Sequence, residues 1–328
     1  MIHKTYTAGW SREQWLDERK KSLGGSDMGA ILGLNPYCSP YAVWAEKTGK
    51  TPPVEDNEAM RQGRDLEDYV AKRFTELSCK KVHRINAIIR NDKCPHMHAC
   101  VDRVVSGEKS GLECKTASAL SESKFKGGNF PTHYYAQCVD YLANTEYLRW
   151  YLAVVVLGKG FKVFQMTRIE NDEVPEWCEG SVYVSEEEIE ALKACALNFW
   201  ESHVIKDVPP EIDGTEATEN ALKVVYADSS PESECDLFAV GDKIDRYSEL
   251  TCIINGYQAE QNKLKGEIQQ YMSDNEKGFY NEYKISWKTQ SRKTFDAKRF
   301  KADHPGIDLS SYYNESTSRP FKLTINNR

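Results

Sequence analysis

Two alternately patterned segments joined by a short turn constrain this chain more than any other feature of its sequence. Residues His98 to Val105 and Gly111 to Ala117 are patterned as β-strands, and the polar, glycine-containing turn between them predicts a hairpin. The four-residue turn from Ser106 to Lys109 pairs Val105 with Ser110 and so places Asp102 opposite Glu113. Because side chains two residues apart share a strand face, Lys115 lies on the face of Glu113. We expect the two carboxylates to be roughly 5 Å apart at Cβ, beside one amine.

Two carboxylates beside an amine suit divalent-metal chemistry on a phosphodiester. Mg²⁺ prefers oxygen ligands, typically one or two carboxylates together with waters and phosphate oxygens. Asp102 and Glu113 would hold the metal next to the exposed backbone carbonyl of Cys114, and Lys115 would position or activate the attacking water. Taken alone, however, the string Glu-x-Lys is more typical of a surface hairpin with a salt bridge between Glu113 and Lys115.

Two further polar residues lie where helical periodicity predicts burial. Glu67 is at the edge of the apolar stripe of a helix expected from Gly63 to Ser78, and Gln137 shares a face with aromatic residues of a helix that starts at Pro131. A carboxylate at a packing boundary is costly unless it has a partner, and a metal ion is one candidate. The alternative is that both residues are half-exposed polar side chains.

The chain divides into three parts by composition. Residues 1–210 alternate helical and strand patterns and form the predicted α/β core, in which a mixed sheet is flanked by helices. Residues 211–239 are acidic and weakly patterned, which indicates a linker or surface crossing. Residues 240–328 predict one long helix, a strand pair around 279–290 within a basic region, and a last strand near Phe321 to Ile325. The net charge is −7, so charge alone does not indicate a nucleic-acid partner.

The ten cysteines occur singly, with no Cys-x-x-Cys pair, and indicate reduced thiols in the cytoplasm. One cluster stands out because it combines four possible zinc ligands, namely Cys94, His96, His98 and Cys100. A spacing of two puts all four on one face of an extended segment, which tetrahedral zinc sites rarely use. No apolar run is long enough for a membrane span, and the N-terminus lacks the apolar core of a signal peptide.

A glycine pair near the N-terminus separates two residues that suit an anion. Arg19 lies in a helix that Gly24-Gly25 ends, and Ser26 is predicted to cap the next helix. The turn could bring a guanidinium, a hydroxyl and a helix N-terminus to one point, which is a phosphate-binding arrangement. The alternative is that Ser26 only caps its helix while Arg19 is solvated.

The ordered set Glu67, Asp102, Glu113-x-Lys115 and Gln137 resembles the PD-(D/E)xK nucleases, specifically the lambda-exonuclease-like, YqaJ-type viral recombinases. The segment from Arg19 through Leu23-Gly-Gly-Ser-Asp-Met-Gly-Ala-Ile-Leu-Gly-Leu-Asn-Pro36 is similar to the opening of that family, as is Tyr134-Tyr-Ala-Gln137. The resemblance covers about Trp10 to Phe164. Its one departure is Val101 before Asp102 in place of proline, which leaves the metal ligand intact.

The resemblance implies a restriction-endonuclease-like α/β (α+β) core with a helical and β-hairpin C-terminal extension. It implies two Mg²⁺ ions, replaceable by Mn²⁺: Asp102, Glu113 and the Cys114 carbonyl on one, and Glu67 on the other directly or through water. Lys115 would orient the nucleophile with support from Gln137, and Arg19 and Ser26 would bind the 5′-terminal phosphate.

The activity implied by the resemblance is processive 5′→3′ degradation of linear duplex DNA, which leaves a 3′ single strand for an annealing protein. A homo-oligomeric ring, with a trimer favoured, and a phage or prophage protein in the cytoplasm of a bacterial host are the matching expectations. Two alternatives stay open. The same residues could serve an endonuclease, or the chain could be a DNA-binding scaffold with a vestigial site.

Overall fold

A computed structural model describes residues 1–52, 56–313 and 318–324 of the chain. The polypeptide forms two compact units, Met1–Ala227 and Asp228–Arg328. In the first unit, helices pack on both faces of a mixed sheet, which confirms the predicted fold class. No helix in the described part of the chain is both long enough and apolar enough to cross a bilayer.

The larger sheet of the first unit has six strands within the described residues. In spatial order they are β10 (Gly180–Tyr183), β9 (Gly160–Thr167), β8 (Arg149–Val156), β7 (Ser110–Ala117), β6 (Arg103–Val105) and β3 (Val82–His83). β7 pairs with β8 and β9 with β10 in parallel, whereas the other neighbours are antiparallel. The predicted hairpin across residues 158–160 is present as β8 and β9.

The smaller sheet lies before β6 in the chain and contains the strand that leads into it. Its order is β1 (Ile2–Tyr6), β4 (Ala87–Asn91), β5 (Met97–Cys100) and β2 (Leu23–Gly24). The sequence predicted one continuous strand from His98 to Val105, and this is wrong. The chain leaves one sheet after Cys100 and enters the other at Arg103, so Val101 and Asp102 form a joint between the two sheets.

Helices cover both faces of the large sheet because its central strand β8 is apolar and buried on both sides, as strands in parallel pairs usually are. Helix α4 (Glu58–Ser78) packs Val70 and Phe74 on one face, against Tyr151 and its neighbours. Helix α5 (Thr132–Thr145) packs on the other face, together with α2 (Gly25–Ile31), α3 (Pro40–Lys47) and α6 (Glu186–Phe199). Helix α1 (Arg12–Lys20) begins at a Ser11 capping box, as predicted.

The expected linker at 211–239 contains a helix of the first unit. Helix α7 (Glu216–Val225) packs on α3, with Thr218 and Ala221 buried and Leu222 and Val225 against the core. These positions follow helical spacing, but the surrounding acidic residues obscure the pattern in the sequence. The first compact unit extends to Ala227, beyond the core boundary expected at residue 210.

The second unit contains the predicted long helix, α8 (Gly241–Met272), and a hairpin formed by β11 (Lys277–Tyr280) and β12 (Tyr283–Ser286). A short helix, α9 (Ala297–Asp303), follows in the basic region, where no helix was expected. The last strand expected near residues 321–325 is absent from Phe321 through residue 324, and Ile325 lies outside the described residues.

Candidate active site

The two carboxylates of the hairpin meet at the edge where the chain enters the large sheet. Strands β6 and β7 pair Arg103 with Leu112, which confirms the predicted register and continues into the juxtaposition of Asp102 and Glu113. Asp102 lies in the joint between the sheets, and its Oδ2 accepts a hydrogen bond of 2.8 Å from the backbone N–H of Cys114. This bond ties the joint to the neighbouring strand.

Glu113 is the centre of a buried polar cluster. Its Oε1 lies 2.6 Å from the Lys115 amine and accepts a hydrogen bond of 2.8 Å from the Gln137 amide. Its Oε2 is buried and has no hydrogen-bond partner among the described residues. An unpaired buried carboxylate oxygen is costly, so this atom is available for a ligand that supplies positive charge or a proton.

The electrostatics of the cluster follow from its burial. Burial, and then the nearby carboxylates of Glu113 and Glu67, raise the pKa of Asp102 well above its usual range. Burial opposes the charged form of Lys115, but Glu113 and Asp102 outweigh that effect and raise the pKa of its amine. Lys115 is therefore an ammonium ion at neutral pH, and a cation close to Asp102 would favour the ionised carboxylate.

Glu67 reaches the same site from α4, but arginines already bind it. Arg103 donates to Glu67 Oε1, and Arg84 donates to the same atom over 3.0 Å. Both arginines also contact Asp68. The sequence predicted the position of Glu67 beside the site but gave no sign of these partners, because Arg84 and Arg103 come from two different segments.

Arg19 and Ser26 are brought together as predicted. The Arg19 Nη2 atom donates to Ser26 Oγ over 3.2 Å, and the guanidinium stacks on the Trp15 ring at 4.5 Å. The Arg19 Nε atom is buried without a hydrogen-bond partner in the described chain. Arg19 therefore has an unused donor, which an anion can fill.

Ser26 does not cap its helix, contrary to prediction. Gly24 is the N-cap of α2, and its N–H donates to the Asp27 carboxylate over 2.8 Å. Glycine fits here because a Cβ at Gly24 would lie 2.8 Å from the His98 ring. The Ser26 hydroxyl is thereby left for Arg19 and for a ligand.

Sequence reasoning missed the pair that supports this segment. The Lys47 amine is fully buried, lies 2.8 Å from Asp27 Oδ2 and donates to the Arg19 carbonyl over 3.3 Å. Burial opposes the ionised carboxylate, but Lys47 and then Arg19 hold the pKa of Asp27 below its usual value. A signal was present, because Lys47 follows Val43 and Trp44 at helical spacing and so lies on the apolar face of α3.

One cavity of about 320 Å³ joins both groups. Its lining includes Glu67, Asp102, Glu113 and Gln137 together with Arg19 and Ser26. Gly25 also lines it, and a Cβ there would lie 2.9 Å from Tyr141 and 3.0 Å from Gln137. Carboxylates for a cation and donors for an anion thus share one space, as phosphodiester cleavage requires.

The possible zinc ligands are not brought together. Cys94 contacts Asn144, the His96 ring lies 3.4 Å from the Lys193 carbonyl, and His98 Nδ1 lies 2.9 Å from Ser22 Oγ. Their partners lie on different elements because Cys94 and His96 precede β5 instead of continuing its alternation. His98 lines the cavity instead, and burial lowers the pKa of its imidazole, so the ring is neutral.

The carboxylate oxygens of this site suit one Mg²⁺ ion better than two. In residues 1–52, 56–313 and 318–324, no three His, Cys, Asp or Glu side chains are grouped closely enough to hold a metal unaided. Asp102 and Glu113 nevertheless supply hard oxygen donors, and Glu113 Oε2 is unpaired. Two carboxylates completed by water and phosphate oxygens are a normal Mg²⁺ environment. The residues therefore fit one ion, whereas Glu67 would first have to lose its arginine partners.

The chain is similar to several known proteins. The YqaJ-like viral recombinase domain matches residues 14–148. The uncharacterized protein YqaJ of Bacillus subtilis is 35% identical over 301 residues, which are 90% of this chain and 89% of that protein. An alkaline exonuclease from Laribacter hongkongensis (LHK-Exo) is 17% identical, with a TM-score of 0.45 over 59% of this chain and 95% of its own. A phage-related exonuclease from Haemophilus somnus is 11% identical, with a TM-score of 0.39 over 57% of this chain and 96% of its own.

Proposed function

Because the chain belongs to the YqaJ-like viral recombinase family, we propose that it is a Mg²⁺-dependent exonuclease that degrades linear duplex DNA in the 5′→3′ direction. The observation that carries the proposal is the shared cavity, in which the carboxylates and the pair Arg19 and Ser26 face one space. A scissile phosphate and the terminal phosphate of the same strand are neighbours in an exonuclease substrate. One cavity with two kinds of subsite suits such a substrate.

The metal would be held by Asp102, Glu113 and the Cys114 carbonyl, with Glu67 serving a second ion directly or through water. Bound Mg²⁺ neutralises phosphate charge and lowers the pKa of a bound water, and Mn²⁺ can take its place. Unpaired Glu113 Oε2 supports the first assignment. The second requires Arg84 and Arg103 to release Glu67, since both donate to it in the absence of metal.

Lys115 acts as a cation in this proposal. Glu113 and Asp102 raise the pKa of its amine in the metal-free site, and as an ammonium ion it would orient the attacking water and offset phosphate charge. Gln137 holds Glu113 by donating to Oε1, which fixes the carboxylate from the side of α5. Tyr141 accepts from the same amide over 2.6 Å and so limits its rotation.

Arg19 and Ser26 would bind the 5′-terminal phosphate. The stack on Trp15 and the hydrogen bond to Ser26 hold the guanidinium in place before a ligand arrives. Its unpaired Nε atom would donate to a phosphate oxygen. After each cut the new 5′ phosphate would enter the same subsite, which favours processive degradation.

The product would be a 3′ single strand, and the expected partner is a single-strand annealing protein in phage-type recombination. We further propose that the chain is a phage or prophage protein acting in the bacterial cytoplasm as a homo-oligomer, with the trimeric ring as the first form to test. Duplex ends are the substrate in every version of this proposal.

The test is a comparison of three substrates with Mg²⁺: a 5′-phosphorylated linear duplex, its 5′-hydroxyl counterpart and closed circular DNA. Faster degradation of the phosphorylated duplex supports the proposal. Nicking of the closed circle would instead indicate an endonuclease, and inertness toward all three would indicate a DNA-binding scaffold.

Arg19→Lys provides the matched variant for the phosphate subsite. Lysine keeps the positive charge but loses the planar set of donors, so the preference for a 5′ phosphate should fall while slow cleavage persists. A variant that keeps the full preference would remove Arg19 from phosphate recognition.

A further inference from the structure

Helix α8 of the second unit carries an exposed apolar seam with a heptad repeat. Seven positions recur at alternating spacings of four and three over 22 residues, and six of them are apolar or aromatic, which is the pattern of a coiled coil. The first position of each heptad (a) is occupied by Ile254, Gln261 and Ile268. The fourth position (d) is occupied by Leu250, Tyr257, Leu264 and Tyr271.

Among the described residues of the second unit, most of the seam is exposed. Leu250 is 40% exposed, and Ile268 is 44% exposed and lines a cavity together with the hairpin of β11 and β12. Ile254, Tyr257 and Leu264 are 63%, 70% and 52% exposed, and Tyr271 at the end of the helix is 92% exposed. Tyr247, one heptad before Ile254, already contacts Phe321, so the free seam begins at Leu250. Soluble proteins rarely leave a continuous apolar stripe of this length in water, and such stripes mark interaction surfaces.

We propose that α8 forms a parallel, in-register coiled coil with a second copy of this chain. Gln261 is the only polar residue of the seam, and burial of its amide requires a hydrogen-bond partner. In a parallel, in-register pair that partner is Gln261 of the second copy. A single polar residue at an a position is a known means of fixing register.

Charge complementarity favours the same arrangement. Glu260 occupies the g position and Lys265 the following e position, so in a parallel pair each Glu260 faces Lys265 of the second copy. An antiparallel pair of the same seam would put Glu260 near Glu260. The apolar seam, the amide and the charges thus agree on a second copy as the occupant.

Gly256 and Gly266 agree with this assignment. Both fall on the outer positions of the heptad, where no partner helix lies, and a Cβ at either would meet nothing within 4 Å. Glycine lowers the helix propensity of an isolated helix by about 1 kcal/mol per residue. Helix α8 therefore gains from the pairing a stability that its own sequence does not supply.

Disulfide trapping in the full-length chain tests the proposal. Leu250→Cys, in a background in which the exposed Cys79, Cys235 and Cys252 are replaced by serine, places two thiols across the seam in the parallel, in-register pair. Mild oxidation should give a species of twice the chain mass of 37.5 kDa, whereas Asn255→Cys, on an outer position of the same helix, should not. In an antiparallel pair centred on Glu260 the two introduced thiols would be about 30 Å apart along the axis, from 1.5 Å per residue, so no link would form.

A charge exchange provides the second measurement and does not depend on the apolar seam. Added to the Leu250→Cys variant, Glu260→Lys and Lys265→Glu should each lower the yield of the cross-linked dimer, and a mixture of the two variants should restore it. Equal cross-linking of the Asn255→Cys control, or no restoration on mixing, would overturn the proposal. Nuclease activity is not part of the readout, so the coiled coil and the proposed function can fail separately.

Discussion

The buried pair of Lys47 and Asp27 gives the sharpest prediction about this fold. The Lys47 amine is 0% exposed and the Asp27 side chain 9%, so Lys47→Met leaves a buried carboxylate without its ion-pair partner, with only Arg19 as a nearby cation. Loss of one partner of a buried ion pair costs about 3–5 kcal/mol. The lost hydrogen bond to the Arg19 carbonyl adds about 1 kcal/mol. Because Arg19 remains near Asp27, we expect the lower end of this sum, a fall of about 4 kcal/mol in the free energy of unfolding at pH 7.

A second variant separates charge from packing. In Lys47→Met with Asp27→Asn, the asparagine carbonyl still accepts from the Gly24 N–H, whereas the buried charge is gone. The double variant should recover about half of the loss, on the order of 2 kcal/mol, because replacing a buried ion pair by neutral groups is far less costly than breaking it.

The pH dependence has a definite sign. In the wild type Lys47 and Arg19 hold the pKa of Asp27 low despite its burial. The ionised carboxylate therefore contributes to the stability of the fold above the unfolded carboxyl pKa of about 3.9. That contribution is lost as the pH falls through the pKa of Asp27 in the folded protein. Without Lys47, burial raises the folded pKa, and the variant recovers as Asp27 binds a proton. The stability gap should therefore be widest near neutral pH and should narrow toward about pH 4.

Urea unfolding followed by tryptophan fluorescence at a series of pH values measures both quantities. Trp44 lies on α3 with Lys47 and reports on this region directly. A gap below about 1 kcal/mol at pH 7, the size of an exposed pair, would refute the reasoning. So would a gap that stays constant as the pH is lowered.

Three further predictions concern the site and the sheet. Gly25→Ala places a Cβ 3.0 Å from Gln137 and should shift the Gln137 amide away from Glu113. The rate of DNA cleavage should fall about tenfold or more, which corresponds to a rise of about 1.4 kcal/mol in the activation free energy. Gly63→Ala, with open space around it, is the control, and equal rates for the two variants would contradict the packing argument. Lys115→Ala should lower the rate of DNA cleavage about 100-fold without loss of fold, as expected for a group that stabilises charge. Calorimetry with Mn²⁺ should show that the variant still binds metal. Unchanged turnover would remove Lys115 from the mechanism. Asp172→Asn should lower the free energy of unfolding by about 2 kcal/mol at pH 7, because Arg149 donates to this carboxylate over 2.6 and 2.7 Å. The hydrogen bond from Arg149 holds the pKa of Asp172 low, so the stability advantage of the wild type in thermal melts should fade below about pH 3.9. An advantage that grows below that pH would contradict the assignment.

Much of the site could be predicted because its parts are local in sequence. The turn fixes the register that brings Asp102 opposite Glu113, and strand alternation puts Lys115 on the same face. Helical periodicity placed Gln137 where it contacts Glu113, on a helix with bounds close to those predicted. The long helix α8 was likewise visible, because its pattern runs unbroken from Gly241 to Met272.

The remaining features depend on contacts between distant segments. The alternation of side chains is the same whichever strand is the hydrogen-bonded neighbour. The sequence therefore does not indicate that the chain passes from one sheet to the other at Val101 and Asp102. Ser26 follows two glycines as a cap residue would, but the Asp27 carboxylate takes the Gly24 N–H. The arginine partners of Glu67 depend on tertiary packing in the same way.

The joint between the two sheets has a consequence for how the site can adapt. Glu113 belongs to β7, where β8 pairs with it at Leu152, and Lys115 and Gln137 hold its side chain. Asp102 belongs to no ladder and is anchored to β7 through one hydrogen bond from the Cys114 N–H. We therefore expect Glu113 to stay in place and Asp102 to shift when ligands of different size occupy the cavity.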